Sequence, residues 1–135
     1  KDCLLISSRL STRKRNWSMK EKKSDEVRLR HILDAINFIN TFSVGKSKGD
    51  LYKDYMYRFS VERQLEIIGE AANNLSPELL KKYNNVPWPQ IISFRNFIVH
   101  EYFGLDLELI WGIVINNIPL FKLQIEKILS EITTD

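Results

Sequence analysis

Arg63 to Leu75, reading RQLEIIGEAANNL, decides the fold. At about 100° per residue, Leu65, Ile68, Gly69 and Ala72 fall within an arc of about 100°, the apolar stripe of an α-helix that faces a core. Glu66, Glu70 and Asn73 share a neighbouring stripe. A glycine inside a helix costs about 1 kcal/mol relative to alanine, so Gly69 predicts a close crossing by another element. Upstream, the helical pattern continues back through Leu51 with a break near Asp54, and Asp50 stands where it can cap the region.

Downstream, Ser76 followed by Pro77 and Glu78 is a cap and first-position proline for a short helix ending near Lys82. Pro87-Trp88-Pro89 sets a rigid entry into a helix that should stop near Phe103, where Gly104 supplies the terminating residue and Asp106 caps the next helix. That last helix, about 107–132, places Leu107, Ile110, Trp111, Val114, Ile115 and Ile118 inward, with a kink at Pro119. Toward the N-terminus, Val27, Leu29, Ile32, Ala35, Ile36 and Ile39 predict an amphipathic helix over 24–42, with Asp25 and Glu26 complementing its dipole. SVGKSKG (43–49) is a loop. Its GKS lacks the earlier glycine and the preceding strand of a phosphate-binding loop. No alternating Val/Thr-rich run predicts a strand. The expected architecture is all-α: an up-and-down bundle of four main helices plus a short fifth.

With 135 residues, 44% of them hydrophobic, the chain has material for one core. No run approaches the roughly 18 to 20 apolar residues of a membrane span, and KDCLLISSRL does not read as a signal peptide, so a soluble cytoplasmic protein is expected. Cys3 has no partner for an internal disulfide. Residues 1–23 hold eight Lys/Arg against Asp2 and Glu21, so residues 24–135 carry −3 of the total +3. The high pI thus belongs to the tail, and global charge gives no support to nucleic-acid binding. That tail is expected to be disordered or non-native, with Met19 as the natural start and residues 24–135 as the domain. A basic arm that holds nucleic acid is the competing reading.

The chemistry concentrates in RNFIVHEYF, Arg95 to Phe103. Arg offers a fork of donors matched to phosphate oxygens, His moves protons near neutral pH, and Asn can orient the ring or a ribose hydroxyl. Taking Arg95 as 0° on an ideal helix, Asn96 sits at about 100°, His100 at about 140° and Tyr102 at about 340°. Asn96 and His100 share a face, whereas Arg95 and His100 could act on one phosphate only at a loosened helix end or across a dimer seam. With only His31 and His100, a His-rich metal site is excluded. His31, Trp88 and Trp111 read as structural residues, and Tyr102 taken alone reads as a core aromatic.

Arg95, four residues, His100, one residue and Tyr102 resemble the R-x4-H-x-Y motif of the HepT toxins, within the HEPN class of all-helical ribonucleases. RLRHILDAINFI, RQLEIIGEAANNLS, the VPW before the motif helix and HEYFGLDLELIW after it resemble HepT-type segments in the same order, so the resemblance covers about Leu29 to Leu129. It implies an endoribonuclease needing no metal or cofactor, acting as a homodimer with the motif helices lining a shared cleft. Arg95, Asn96 and His100 would be catalytic, with Glu70 as a support for Arg95 or simply a structural carboxylate. It further implies a type VII-like toxin-antitoxin pair, in which a small nucleotidyltransferase antitoxin transfers AMP to Tyr102. The alternative is a catalytically inactive helical dimer that serves as an interaction module for such a nucleotidyltransferase.

Overall fold

The computed structural model describes residues 16–96 and 106–134. Helix α1 (Met19–Ser43) is followed by α2 (Lys48–Lys53), α3 (Tyr55–Asn73), α4 (Pro77–Lys82) and α5 (Trp88–Ile92). A 3-10 turn, Ser93–Asn96, continues α5. After the motif come α6 (Leu107–Gly112), a π-helical segment (Ile113–Asn117) and α7 (Ile118–Thr133). No strand occurs among the described residues, and the all-α reading holds. α1 and α3 pack extensively on each other, α7 lies against α1, and α5 with its 3-10 turn crosses α3. No described helix is long and apolar enough to cross a membrane.

Three details depart from the sequence pattern. α1 begins at Met19, where Ser18 accepts the Glu21 N–H at 3.1 Å and the Glu21 carboxylate reaches back to the Ser18 N–H. Residues 19–23, expected in the tail, are therefore helical, while residues 1–15 lie outside the described residues. Within α1, Val27 is exposed and Asp25 is buried, reversing the expected roles. The Asp25 carboxylate accepts from Trp17 Nε1 (2.9 Å), the Ser76 N–H (2.9 Å) and the Ser76 hydroxyl (2.6 Å). Ser76 Oγ in turn accepts the Leu79 N–H and caps α4. A buried charge persists only when its lone pairs are used, and here the use joins the entry to α1 with the turn between α3 and α4.

The last helix is interrupted not by a simple proline kink but by the π segment, whose wider turn lets the Ile118 N–H reach the Ile113 carbonyl. Pro119 then falls in the first turn of α7, where its missing N–H is tolerated. The extra residue shifts the register. Ile113 is buried and Ile115 exposed, Trp111 is only partly covered, and Leu107, Ile110, Val114 and Ile118 face inward as expected. The break near Asp54 is present too: that residue ends α2 and caps α3 by accepting the Tyr57 N–H. Asp50 accepts from the Ser47 N–H at the start of α2.

Candidate active site

Leu65, Ile68, Gly69 and Ala72 of α3 are all buried, and the glycine does what its cost implies. A Cβ at Gly69 would lie 2.5 Å from the Arg95 backbone nitrogen and 3.0 Å from both Arg95 Cβ and the Ile92 carbonyl oxygen. Only a residue without a side chain lets the end of α5 lie against α3 this closely. The main chain of Arg95 thus rests directly on α3.

The local helix type decides where the neighbouring side chains go. Ile91, near the end of α5, and Phe94, in the 3-10 turn, are both buried. Arg95 leaves at the edge and Asn96 on the exposed side. The motif therefore does not begin in an ideal α-helix, and the angles expected from one do not describe Arg95 and Asn96. Trp88 anchors the other end of this unit: its Nε1 donates to the Tyr83 carbonyl at 3.0 Å, and its ring meets Phe121 edge-on at 6.1 Å.

The guanidinium of Arg95 is half exposed. Its Nη1 lies 4.0 Å from Glu70 Oε1, at the outer limit of an ion pair and beyond a hydrogen bond. So exposed a pair contributes little to stability. It holds the Arg95 side chain near α3 without consuming its donors, which stay open to an anionic ligand. Asn96 follows Arg95 at the end of the turn and is exposed. His100 and Tyr102 lie outside the described residues. Of the expected site residues, the structure brings together Glu70 and Arg95, with Asn96 adjacent to Arg95 in the chain. His31 is exposed on α1. Among the described residues, no group of three or more His, Cys, Asp and Glu gathers as a metal cluster would require.

The ribonuclease HepT-like family model matches residues 32–128, which takes in the crossing and the whole motif. The chain belongs to the HepT-like ribonuclease family. A "Putative RNase" of Caldanaerobacter subterraneus subsp. tengcongensis is 37% identical over 109 residues, 81% of this chain and 97% of that protein. A "Probable ribonuclease HepT" of Thermococcus cleftensis is 34% identical over 107 residues, 79% of this chain and 97% of the relative. A longer protein of Methanocaldococcus jannaschii, named as a gamma-glutamylcyclotransferase and putative RNase, is 37% identical over 111 residues. That match takes in 82% of this chain but only half of the relative's length. No solved structure matches the chain.

The feature that sequence reasoning missed is the buried Asp25 and its partners. An acid in the first turns of a helix ordinarily serves the dipole, and only Trp17 and Ser76, far apart in sequence, reveal that this one is internal.

Proposed function

We propose that the chain is a metal-independent endoribonuclease that works as a homodimer and forms the toxin of a type VII-like pair. The observation that carries this reading is the Arg95 main chain seated on Gly69, with its guanidinium at the surface, at the head of an R-x4-H-x-Y motif in a HepT-like ribonuclease. In the proposed reaction His100 takes the proton from a ribose 2′-hydroxyl, the 2′-oxygen attacks the adjacent phosphorus as the bond to the 5′-oxygen breaks, and the 5′-oxygen leaves with the proton returned by the imidazolium. Arg95 stabilises the charge on the phosphoryl oxygens, and Asn96 orients the imidazole or the phosphate. The products are a 2′,3′-cyclic phosphate and a 5′-hydroxyl end.

Tyr102 is the proposed acceptor of AMP from a small nucleotidyltransferase antitoxin. An adenylate there would place bulk and negative charge where the RNA phosphate must sit. A cytoplasmic location is part of this reading, since that is where its RNA substrate would be met.

Incubation of purified protein with RNA in EDTA, with product ends identified by mass spectrometry, tests the activity. Cyclic phosphate ends formed by the wild type and lost in His100→Ala are the expected result. Undiminished cleavage by His100→Ala, or 3′-hydroxyl ends, would contradict the mechanism. Intact-mass analysis after incubation with the nucleotidyltransferase and ATP tests regulation: Tyr102→Phe should stay active and unmodified, and adenylate found solely on another residue would remove the assignment.

A further inference from the structure

Tyr55 and Phe59, both on α3, are 60% and 49% exposed, yet their rings stack on each other with centroids 6.2 Å apart and planes 23° from parallel. The Arg58 guanidinium carbon lies 4.9 Å from the Tyr55 ring centre and 5.3 Å from that of Phe59. Arg58 is itself held from below by Glu62, a buried residue whose carboxylate is 3.9 Å from its Nε. The result is an exposed surface of two stacked rings and a guanidinium that the core does not use.

Its position matters. At 100° per residue, Tyr55, Phe59, Glu66 and Glu70 fall within an arc of about 60° on α3. The stacked rings therefore share one exposed stripe with Glu70, the residue that faces Arg95. Phe59 lies about 16 Å along the helix axis from Glu70, a distance that a strand of a few nucleotides spans. The carboxylates along this path are each matched by a cation: Asp54 by Lys46, Glu62 by Arg58, Glu66 by Arg63 and Glu70 by Arg95. A phosphate backbone would meet no unmatched negative charge among these residues.

We propose that Tyr55, Phe59 and Arg58 form a stacking platform for unpaired bases of the RNA substrate, displaced along α3 from the Arg95 site. Aromatic faces next to cations bind single strands with little sequence preference, because every base has a π-face. The stripe runs on toward Arg95, so a strand whose phosphate sits at that guanidinium reaches these rings along the same helix face. The proposal rests on the ribonuclease reading, and it concerns where the substrate lies and not how it is cut.

The test compares wild type with the double variant Tyr55→Ala/Phe59→Ala, both positions being exposed, on a fluorescein-labelled single-stranded RNA. Loss of each ring should raise KM about tenfold, equivalent to about 1.4 kcal/mol and within the range for a base stacked on an aromatic ring. The kcat should stay near wild type, and the single variant Tyr55→Phe, which keeps the ring, should keep the wild-type KM. Leu123→Ala, equally exposed but on α7, should change neither constant. An unchanged KM in the double variant overturns the proposal. So does a shift of the double variant to a smaller species by light scattering, which would make this face a contact between copies. Should the wild type not cut RNA, the ribonuclease reading fails by itself. Fluorescence anisotropy of the same RNA then decides the platform, with equal affinity of wild type and double variant counting against it.

Discussion

Two junctions hold segments against the C-terminal end of α3, and they are built in opposite ways. At Gly69 a side chain is removed so that the Arg95 backbone can lie on the helix. At Ser76, just beyond the helix, a buried charge is supplied: Asp25 binds both polar groups of Ser76 and the Trp17 indole. The first junction leaves its arginine half exposed and free to meet a ligand. The second uses up the hydrogen-bonding capacity of a carboxylate that is 2% exposed. Steric absence therefore seats the proposed catalytic arginine, whereas a satisfied buried charge fixes the chain path. Damage to the one should appear in rates and damage to the other in stability.

The greatest change should be on the rate side. Arg95→Ala should lower kcat on RNA by about 10² to 10³, the usual loss when a charge-stabilising donor is removed, with the thermal midpoint nearly unchanged because the side chain is half exposed. A matching fall in stability would show that Arg95 is a structural residue. Asp25→Ala should do the reverse, costing about 1–3 kcal/mol as the donors at Ser76 and Trp17 lose their acceptor, while kcat per folded molecule is retained. Urea unfolding beside a cleavage assay separates the two.

Trp17→Phe is a milder change at the second junction, since it removes one hydrogen bond of this set and should cost about 1 kcal/mol in the same unfolding experiment. A full-sized loss would mean that the indole's packing, including its contacts with Lys22 and Lys82, outweighs the bond. Smaller still is a pH dependence that belongs to neither junction. The hydrogen bond from the Tyr57 N–H, and then that from Lys46, hold the Asp54 carboxyl below its ordinary range. Its folded value lying below the unfolded one, its contribution is present above the ordinary aspartate value of about 3.9 and is lost as the pH falls through the folded value. Asp54→Asn keeps a capping side chain and should flatten this part of an acid-unfolding curve.

How far each junction was legible in the sequence has the same physical cause. Gly69 announced a crossing because a glycine in a helix interior is costly unless a neighbour needs the space. Asp25 announced nothing, because an acid near a helix start has an ordinary use and its real partner is 51 residues away. Periodicity located the core of α1 and α3 but could not foresee the π segment, and it therefore misplaced Ile115, which is 49% exposed. One residue added to a turn reverses inside and outside without altering the local composition. At the site, residue types singled out Arg95 and Asn96. The tightening from α-helix to 3-10 turn at Ser93 leaves the apolar spacing of Ile91 and Phe94 compatible with either helix, so periodicity could not foresee it.

If the absent side chain at residue 69 is what seats the arginine for catalysis, Gly69→Ala is the substitution that reveals it. The added methyl must push the Arg95 main chain away, and a displacement on the order of 1 Å near a reacting group can cost about 10² in rate. Gly112→Ala is the control, since a Cβ there meets nothing within 4 Å and alanine is the better helix former. Gly69→Ala should keep its helical circular dichroism but cut RNA about a hundredfold more slowly in single-turnover assays, while Gly112→Ala should cut at the wild-type rate. A folded Gly69→Ala protein with wild-type single-turnover kinetics would contradict the seating of Arg95 by this glycine.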